Sequence, residues 1–190
     1  MMTHEERKRL RETDAFDPNN VRDEFKGMSV SEIRKALNNT RMPFVAICSN
    51  VVKDMNIGQI VRAVNGYGCM ETMICGFKSW DKRGAVGTYH YENITKFDTV
   101  RDAVDILKTI SPDYRIVGAE ITENSVPLTT YKWNTRTAVV FGEEGCGLPQ
   151  NVLDLCDDVV HIPMHGSVRS FNVAGAAQVF MYDYMSKERR

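Results

Sequence analysis

Three short stretches carry residues whose types and spacing have chemical meaning. In "NIGQIVRAVNGYG", residues 56–68, Ile57, Ile60, Val61 and Val64 form an apolar helical stripe that Arg62 interrupts. A guanidinium stays charged, so Arg62 must reach an acid, a phosphate or water, or run along the helix to solvent. Asn56, at the helix entry, is placed to act as its N-cap. In "VVFGEEGCGLP", residues 139–149, Gly142, Gly145 and Gly147 permit positive φ or close approach of a ligand. Such a loop usually cradles phosphate through backbone N–H groups. Glu143 and Glu144 would repel a phosphate and suit a cationic ligand or a guanidinium; an acidic turn leading into the next helix is the plainer reading.

The third stretch is "HIPMHGSVRSFNVAGAAQVFMYDY", residues 161–184. A strand ends at Ile162-Pro163, a polar loop follows, and Ser170 and Asn172 flank a new helix, with Ser170 fitting an N-cap. His161 and His165 have the spacing of metal ligands on a helix, but Ile162-Pro163 between them opposes a helix, and no metal site is expected. No G-x-S-x-G elbow, Walker loop or G-x-G-x-x-G turn occurs. Glu143 and Glu144 are neighbours on a turn and do not indicate a glycosidase pair.

The elements that must position these residues follow from apolar patterning. Runs at 44–49, 72–77, 114–120, 137–142 and 158–163 alternate with helical patterns. Short continuous apolar runs separated by helices predict an α/β fold with a mostly parallel sheet flanked by helices. Ligands bind at the carboxyl ends of such strands, so the chemistry belongs to the loops after each run. Residues 1–40 read as a charged helical extension, with Ser29 or Ser31 capping "SVSEIRKAL", and residues 41–190 as the main domain.

Bulk properties narrow the setting. No apolar stretch approaches the ~20 residues that span a bilayer, and the charged start lacks the apolar centre of a secretory signal. Five cysteines without a C-x-x-C pair indicate neither a disulfide framework nor a zinc site, and a reducing cytoplasm is expected. Net charge is −1, so nucleic-acid binding needs a local basic patch. Three candidate clusters are Arg7, Lys8, Arg9 and Arg11; Lys78, Lys82 and Arg83; and Lys187, Arg189 and Arg190.

Taken in order, the three stretches resemble the motifs of the SpoU/TrmH family of RNA 2′-O-methyltransferases, in the SPOUT superfamily. Asn56, Gly58 and Arg62 match N-x-G-x-x-x-R; Gly142, Glu144, Gly147 and Leu148 match G-x-E-x-x-G-L. Ile162, Pro163, Met164 and Gly166 match I-P-M-x-G, and Ser170, Asn172 and Val173 match S-L-N-V. The similarity runs from Pro43 to the end. Two positions depart: Phe171 stands where leucine is usual and Ala174 where serine is common.

The resemblance implies a deep C-terminal trefoil knot that binds S-adenosyl-L-methionine. By position the cofactor residues are Gly142, Ile162, Met164, Val168 and Phe171, with Glu120 at the third strand end. It implies a homodimer in which Arg62 of one subunit reaches the cofactor held by the other. Arg62, Asn56, Glu144, Ser170 and Asn172 are the implied catalytic set, with Arg62 orienting a ribose 2′-OH and binding the neighbouring phosphate. With only residues 1–40 ahead of the main domain, the added RNA-binding domain of some ribosomal-RNA members is not expected. A tRNA substrate is therefore favoured over ribosomal RNA, with guanosine as the target, and Lys82, Arg83 and Trp80 lie near the substrate face. The alternatives are a ribosomal-RNA 2′-O-methyltransferase, a non-catalytic RNA-binding knot protein, and a relative that methylates a base nitrogen.

Overall fold

The structure is a computed structural model that describes residues 5, 21–49, 51, 54–76, 79–143 and 145–188, apart from the Asp54 side chain. Most of the charged N-terminal extension, Lys78, Glu144, Arg189 and Arg190 lie outside the described residues. The elements are α1 (Val30–Asn38), β1 (Met42–Ser49), α2 (Asp54–Tyr67), β2 (Cys69–Cys75), β3 (Ile94–Phe97), α3 (Val100–Ile110) and β4 (Arg115–Ala119). They continue with β5 (Val126–Pro127), β6 (Thr137–Phe141), α4 (Gln150–Leu153), β7 (Asp158–His161) and α5 (Val173–Glu188). Two 3-10 turns, Lys82–Ala85 and Thr88–His90, lie between β2 and β3.

The strands form one seven-stranded sheet in the order β3-β2-β1-β6-β4-β7-β5, and every pairing is parallel. Its central strands are buried on both faces, which is why they read as unbroken apolar runs. Along β1, Phe44, Ala46 and Cys48 face α2 and α5, whereas Val45 and Ile47 face α3 and Val152 of α4. The period of two in side-chain direction thus feeds two separate cores. Among the described residues no helix is long and apolar enough to cross a membrane.

The five expected strands correspond to β1, β2, β4, β6 and β7, while β3 and β5 were not legible. Both sit at sheet edges. Thr95 and Lys96 of β3 are exposed, and β5 spans two residues ending in Pro127. Short, polar or proline-bearing strands belong at edges, where they block further pairing. At α1, Ser29 is the cap: its Oγ accepts from Glu32 N at 3.3 Å and its N donates to Glu32 Oε2 at 2.8 Å.

A buried ion pair braces the other end of the sheet. Arg41 and Glu92 meet at 2.7 Å with side chains 1% and 0% exposed. Arg41 also donates to the Cys69 and Tyr91 carbonyls and to Asn38 Oδ1, and Asn65 of α2 donates to Glu92 Oε1 at 2.7 Å. Burial pushes the Glu92 carboxyl up from its ordinary range, against the pull of Arg41. These hydrogen bonds offset the cost of taking both charges out of water. They also join α1, α2, β2 and the segment before β3.

Candidate functional site

A cleft of about 710 Å³ opens where β4, β6 and β7 end, the place where parallel sheets bind ligands. Its size suits a small organic ligand or cofactor. Gly142, Ile162, Met164, Val168, Phe171 and Glu120 all line it, and so does Ser170. The floor is apolar: Phe141 and Phe180 pack edge to face at 5.7 Å, both almost fully buried, beside Val160 and Val173. Phe171 and Val168 lie at the rim, 49% and 59% exposed.

The 142–148 wall is a tight turn built from glycine. A Cβ on Gly142 would lie 2.6 Å from the Gly147 carbonyl carbon, so the loop folds onto itself. Gly147 adopts φ +67°, in the left-handed region, and its N–H donates to Glu143 O at 2.9 Å. Glu120 clamps this turn: Oε2 accepts from Leu148 N at 2.8 Å and Oε1 from Ile121 N at 2.8 Å. A Cβ on Gly147 would overlap the Glu120 carboxylate. Glu120 therefore lines the cleft while its carboxylate oxygens accept from backbone.

The other wall, 162–172, carries the chain from β7 at one side of the sheet to α5, which packs on α2 and β1. Asn172 caps α5, since its Oδ1 accepts from Ala174 N at 3.0 Å and Gly175 N at 3.3 Å. Ser170 is therefore not the cap; the helix starts two residues later than that role requires. Ala174, where the family commonly has serine, is fully buried, and its N–H is bonded to Asn172.

Asn56 is likewise not an N-cap. Helix α2 begins at Asp54, which puts Asn56 inside its first turn, 5% exposed. Its Oδ1 accepts from Asn172 Nδ2 at 3.1 Å, a tertiary partner that local patterning does not show. His161 Nδ1 hydrogen-bonds with Ser125 Oγ at 2.9 Å. Among the described residues no group of three or more His, Cys, Asp or Glu is placed to hold a metal.

Arg62 is exposed and absent from the residues lining the cleft. It lines a second depression of about 690 Å³, together with Gln59, Tyr67, Arg83, Gly84 and Gln178. Within one chain, then, the described site residues form three groups: Ser170 with the cofactor candidates, Asn56 bonded to Asn172, and Arg62 apart. Gly58 has a role that the motif alone does not reveal. A Cβ there would lie 2.7 Å from Asp81 O and 2.9 Å from Ala85 N, so α2 touches the 82–85 turn backbone to backbone. Trp80 is partly buried and packs edge to face on Tyr89 at 6.1 Å, with Lys82 5.0 Å above the Tyr89 ring.

All five cysteines are free thiols. Burial pushes Cys75 and Cys156 up to about 12, which keeps both protonated and poor as nucleophiles. Cys146 is exposed on the glycine turn.

Known proteins give this geometry its relatives. The tRNA (guanosine(18)-2′-O)-methyltransferases of Borreliella burgdorferi and Escherichia coli (strain K12) are 26% and 27% identical, over 84% and 75% of this chain. The matches cover 74% and 63% of those proteins. The 23S rRNA (guanosine-2′-O-)-methyltransferase RlmB of Acinetobacter baylyi is 24% identical over 82% of this chain and 64% of its own. Among solved structures, the A. aeolicus TrmH/SpoU tRNA modifying enzyme superimposes with TM-score 0.74 at 21% identity, covering 84% of this chain and 82% of that one. The SpoU methyltransferase AviRb from Streptomyces viridochromogenes, in complex with the cofactor AdoMet, gives TM-score 0.68 at 23% identity, over 80% and 63% of the two chains. The SpoU rRNA Methylase family matches residues 43–182, most of the sequence and all three motifs, and the chain belongs to that family.

Proposed function

We propose that this protein transfers the methyl group of S-adenosylmethionine to a ribose 2′-OH in RNA, most directly a guanosine of tRNA, in the cytoplasm. The observation that carries the reading is the cleft at the ends of β4, β6 and β7. Its apolar floor suits an adenine ring, and a wall that carries Glu143 and Arg169 suits a ligand with both cationic and carboxylate groups. Bound there, the cofactor supplies an electrophilic methyl group. Glu120 keeps the glycine turn closed, and Phe141 and Phe180 exclude water from the floor.

A ribose hydroxyl must share its proton as it attacks. A guanidinium stays charged and is a poor base, so Arg62 orients the hydroxyl through an adjoining phosphate. Orientation of this kind lowers barriers by several kcal/mol, up to about 7–11 in the best cases. Because Arg62 and the cleft are separate within one chain, the complete site needs a second copy, and a homodimer is part of the reading. So are a knot formed where 162–172 crosses to α5, and a division into a 1–40 extension and a 41–190 methyltransferase domain. Glu144 belongs to the same proposal as an anchor for a guanidinium. The tRNA preference is supported by the guanosine-18 relatives; the ribosomal-RNA reading is its competitor, supported by the 23S relative.

The test is incubation with tritiated S-adenosylmethionine and either unfractionated tRNA or ribosomal RNA, followed by mapping of alkali-resistant linkages. Label on a 2′-oxygen is expected, and Arg62→Ala is expected to abolish it while S-adenosylhomocysteine still binds. Label on a base atom would refute the 2′-O assignment.

A further inference from the structure

The depression that holds Arg62 contains a second guanidinium, that of Arg83. We propose that Arg83 is an RNA-binding residue, and that Arg62 and Arg83 together form a cradle for a phosphodiester of the substrate. The inference rests on the RNA reading above and adds a residue and a ligand group to it.

Placement comes first. Arg62 stands on α2, and Arg83 on the 3-10 turn Lys82–Ala85. Gly58 and Gly84 let the two backbones touch: a Cβ on Gly84 would lie 2.5 Å from Met55 O, and one on Gly58 2.9 Å from Gly84 Cα. Contact between backbones, with no side chain between, leaves little play in the spacing of the two segments that carry the arginines. The residue just after the turn, Val86, adopts φ +49° and ψ +41°, which a β-branched residue rarely does. Left-handed backbone at a non-glycine costs on the order of 1–3 kcal/mol and gathers at ligand-binding turns. Val86 lines the same depression.

Orientation comes from Asp81. Arg83 Nε donates to Asp81 Oδ1 and Oδ2 at 3.0 and 2.9 Å, Nη2 to Oδ2 at 2.6 Å, and Arg83 N to Oδ1 at 2.9 Å. These bonds hold one edge of the guanidinium, yet the side chain is 84% exposed. Asp81 thus serves as the support that holds an arginine ready, and less rotamer freedom is lost when an anion arrives.

Charge decides the class of ligand. Among the described residues no carboxylate lines this depression, whereas Glu120 and Glu143 line the cofactor cleft beside Arg169. The guanidinium groups of Arg62 and Arg83 and the amides of Gln59 and Gln178 carry N–H donors of the kind that phosphate oxygens accept, the Nε–Nη2 edge of Arg83 being given to Asp81. Asp81 neutralises Arg83 at long range, so the expected contribution is directional more than steering.

Arg83→Gln and Arg83→Lys in the full chain test this, with filter binding of unfractionated tRNA and ribosomal RNA at several salt concentrations and methyl-transfer kinetics in parallel. Arg83→Gln is expected to raise Kd and KM for RNA roughly tenfold, in the range of a charged hydrogen bond. The slope of log K against log salt should fall by up to about 0.9, with S-adenosylhomocysteine affinity and Tm unchanged. Arg83→Lys should restore the salt slope but only part of the affinity. RNA affinity and salt slope equal to wild type in Arg83→Gln would overturn the cradle. RNA binding that Arg83→Gln weakens, without methyl transfer by the wild-type chain, would sink the methyltransferase reading and leave the cradle standing. Methyl transfer that Arg83→Gln leaves untouched in KM would do the reverse.

Discussion

Asn172 Nδ2 donates to Asn56 Oδ1 at 3.1 Å, joining residues 116 positions apart. The same Asn172 caps α5 through its Oδ1. One side chain therefore starts the helix that follows the cleft wall and ties it to the helix that carries Arg62. The first and third motifs are, in this chain, two halves of one structural joint.

The two roles can be separated by substitution. Aspartate caps as well as asparagine, but an ionised carboxylate has no hydrogen to give Asn56. Asn172→Asp is expected to lower stability by about 1 kcal/mol for the lost link, and Asn172→Ala by about 2 kcal/mol because the cap goes as well. Thermal melting checks both; equal loss in the two variants would assign the whole effect to the link.

How much of this was legible beforehand depends on whether a signal is local. The central strands were visible because burial on both faces makes runs such as 138–141 wholly apolar, and the loops of the cleft were visible because they follow those runs, whereas its individual cofactor candidates came from the motif resemblance. Ile94–Phe97 escaped because an edge strand keeps Thr95 and Lys96 in water. Arg41 and Glu92, each an ordinary charge in sequence, are a buried pair only through four partner residues, Asn38, Asn65, Cys69 and Tyr91. Asn56 looked like a cap because its bond to Asn172 joins residues 116 positions apart. Gly58 reads as a motif letter until Gly84 is placed against it.

Glu120 gives the cleft its shape by accepting from Leu148 N. Glu120→Ala frees the glycine turn, and S-adenosylhomocysteine affinity is expected to fall roughly tenfold, about the worth of one charge-assisted hydrogen bond. Isothermal titration calorimetry measures it. Unchanged affinity would show that the Glu143–Gly147 bridge holds the turn unaided.

Asp158 sets a pH dependence. Arg115 donates to it at 2.7 and 2.9 Å, and Tyr131 Oη at 2.7 Å. The hydrogen bonds from Arg115 hold its carboxyl below the ordinary range of about 3.9. A depressed folded value means stability that is present above the unfolded pKa and lost as pH falls through the folded one. Asp158→Asn is expected to cost roughly 1 kcal/mol near pH 7, about 2–4 °C in Tm. The gap from wild type should close below about pH 4. Melts across that range check it, and a gap that stays constant would make the contribution one of packing.

Gly58 and Gly66 lie on the same helix and should respond to alanine in opposite directions. Alanine is favoured over glycine in a helix interior by up to about 1 kcal/mol. At Gly66 an added Cβ meets nothing within 4 Å, so Gly66→Ala is expected to raise Tm by about 1–3 °C. At Gly58 the Cβ would meet Asp81 O at 2.7 Å, Ala85 N at 2.9 Å and Gly84 Cα at 2.9 Å. All three are backbone atoms that cannot rotate aside, so the 81–85 turn must move and take Arg83 with it. Gly58→Ala is therefore expected to lower Tm despite the better helix former. It should also raise KM for RNA as Arg83→Gln does, with the cofactor affinity of the cleft preserved. Tm, KM and S-adenosylhomocysteine binding measured on both variants check this: a Gly58→Ala protein as stable as Gly66→Ala would mean that the turn yields, and that the contact with α2 does not set the place of Arg83.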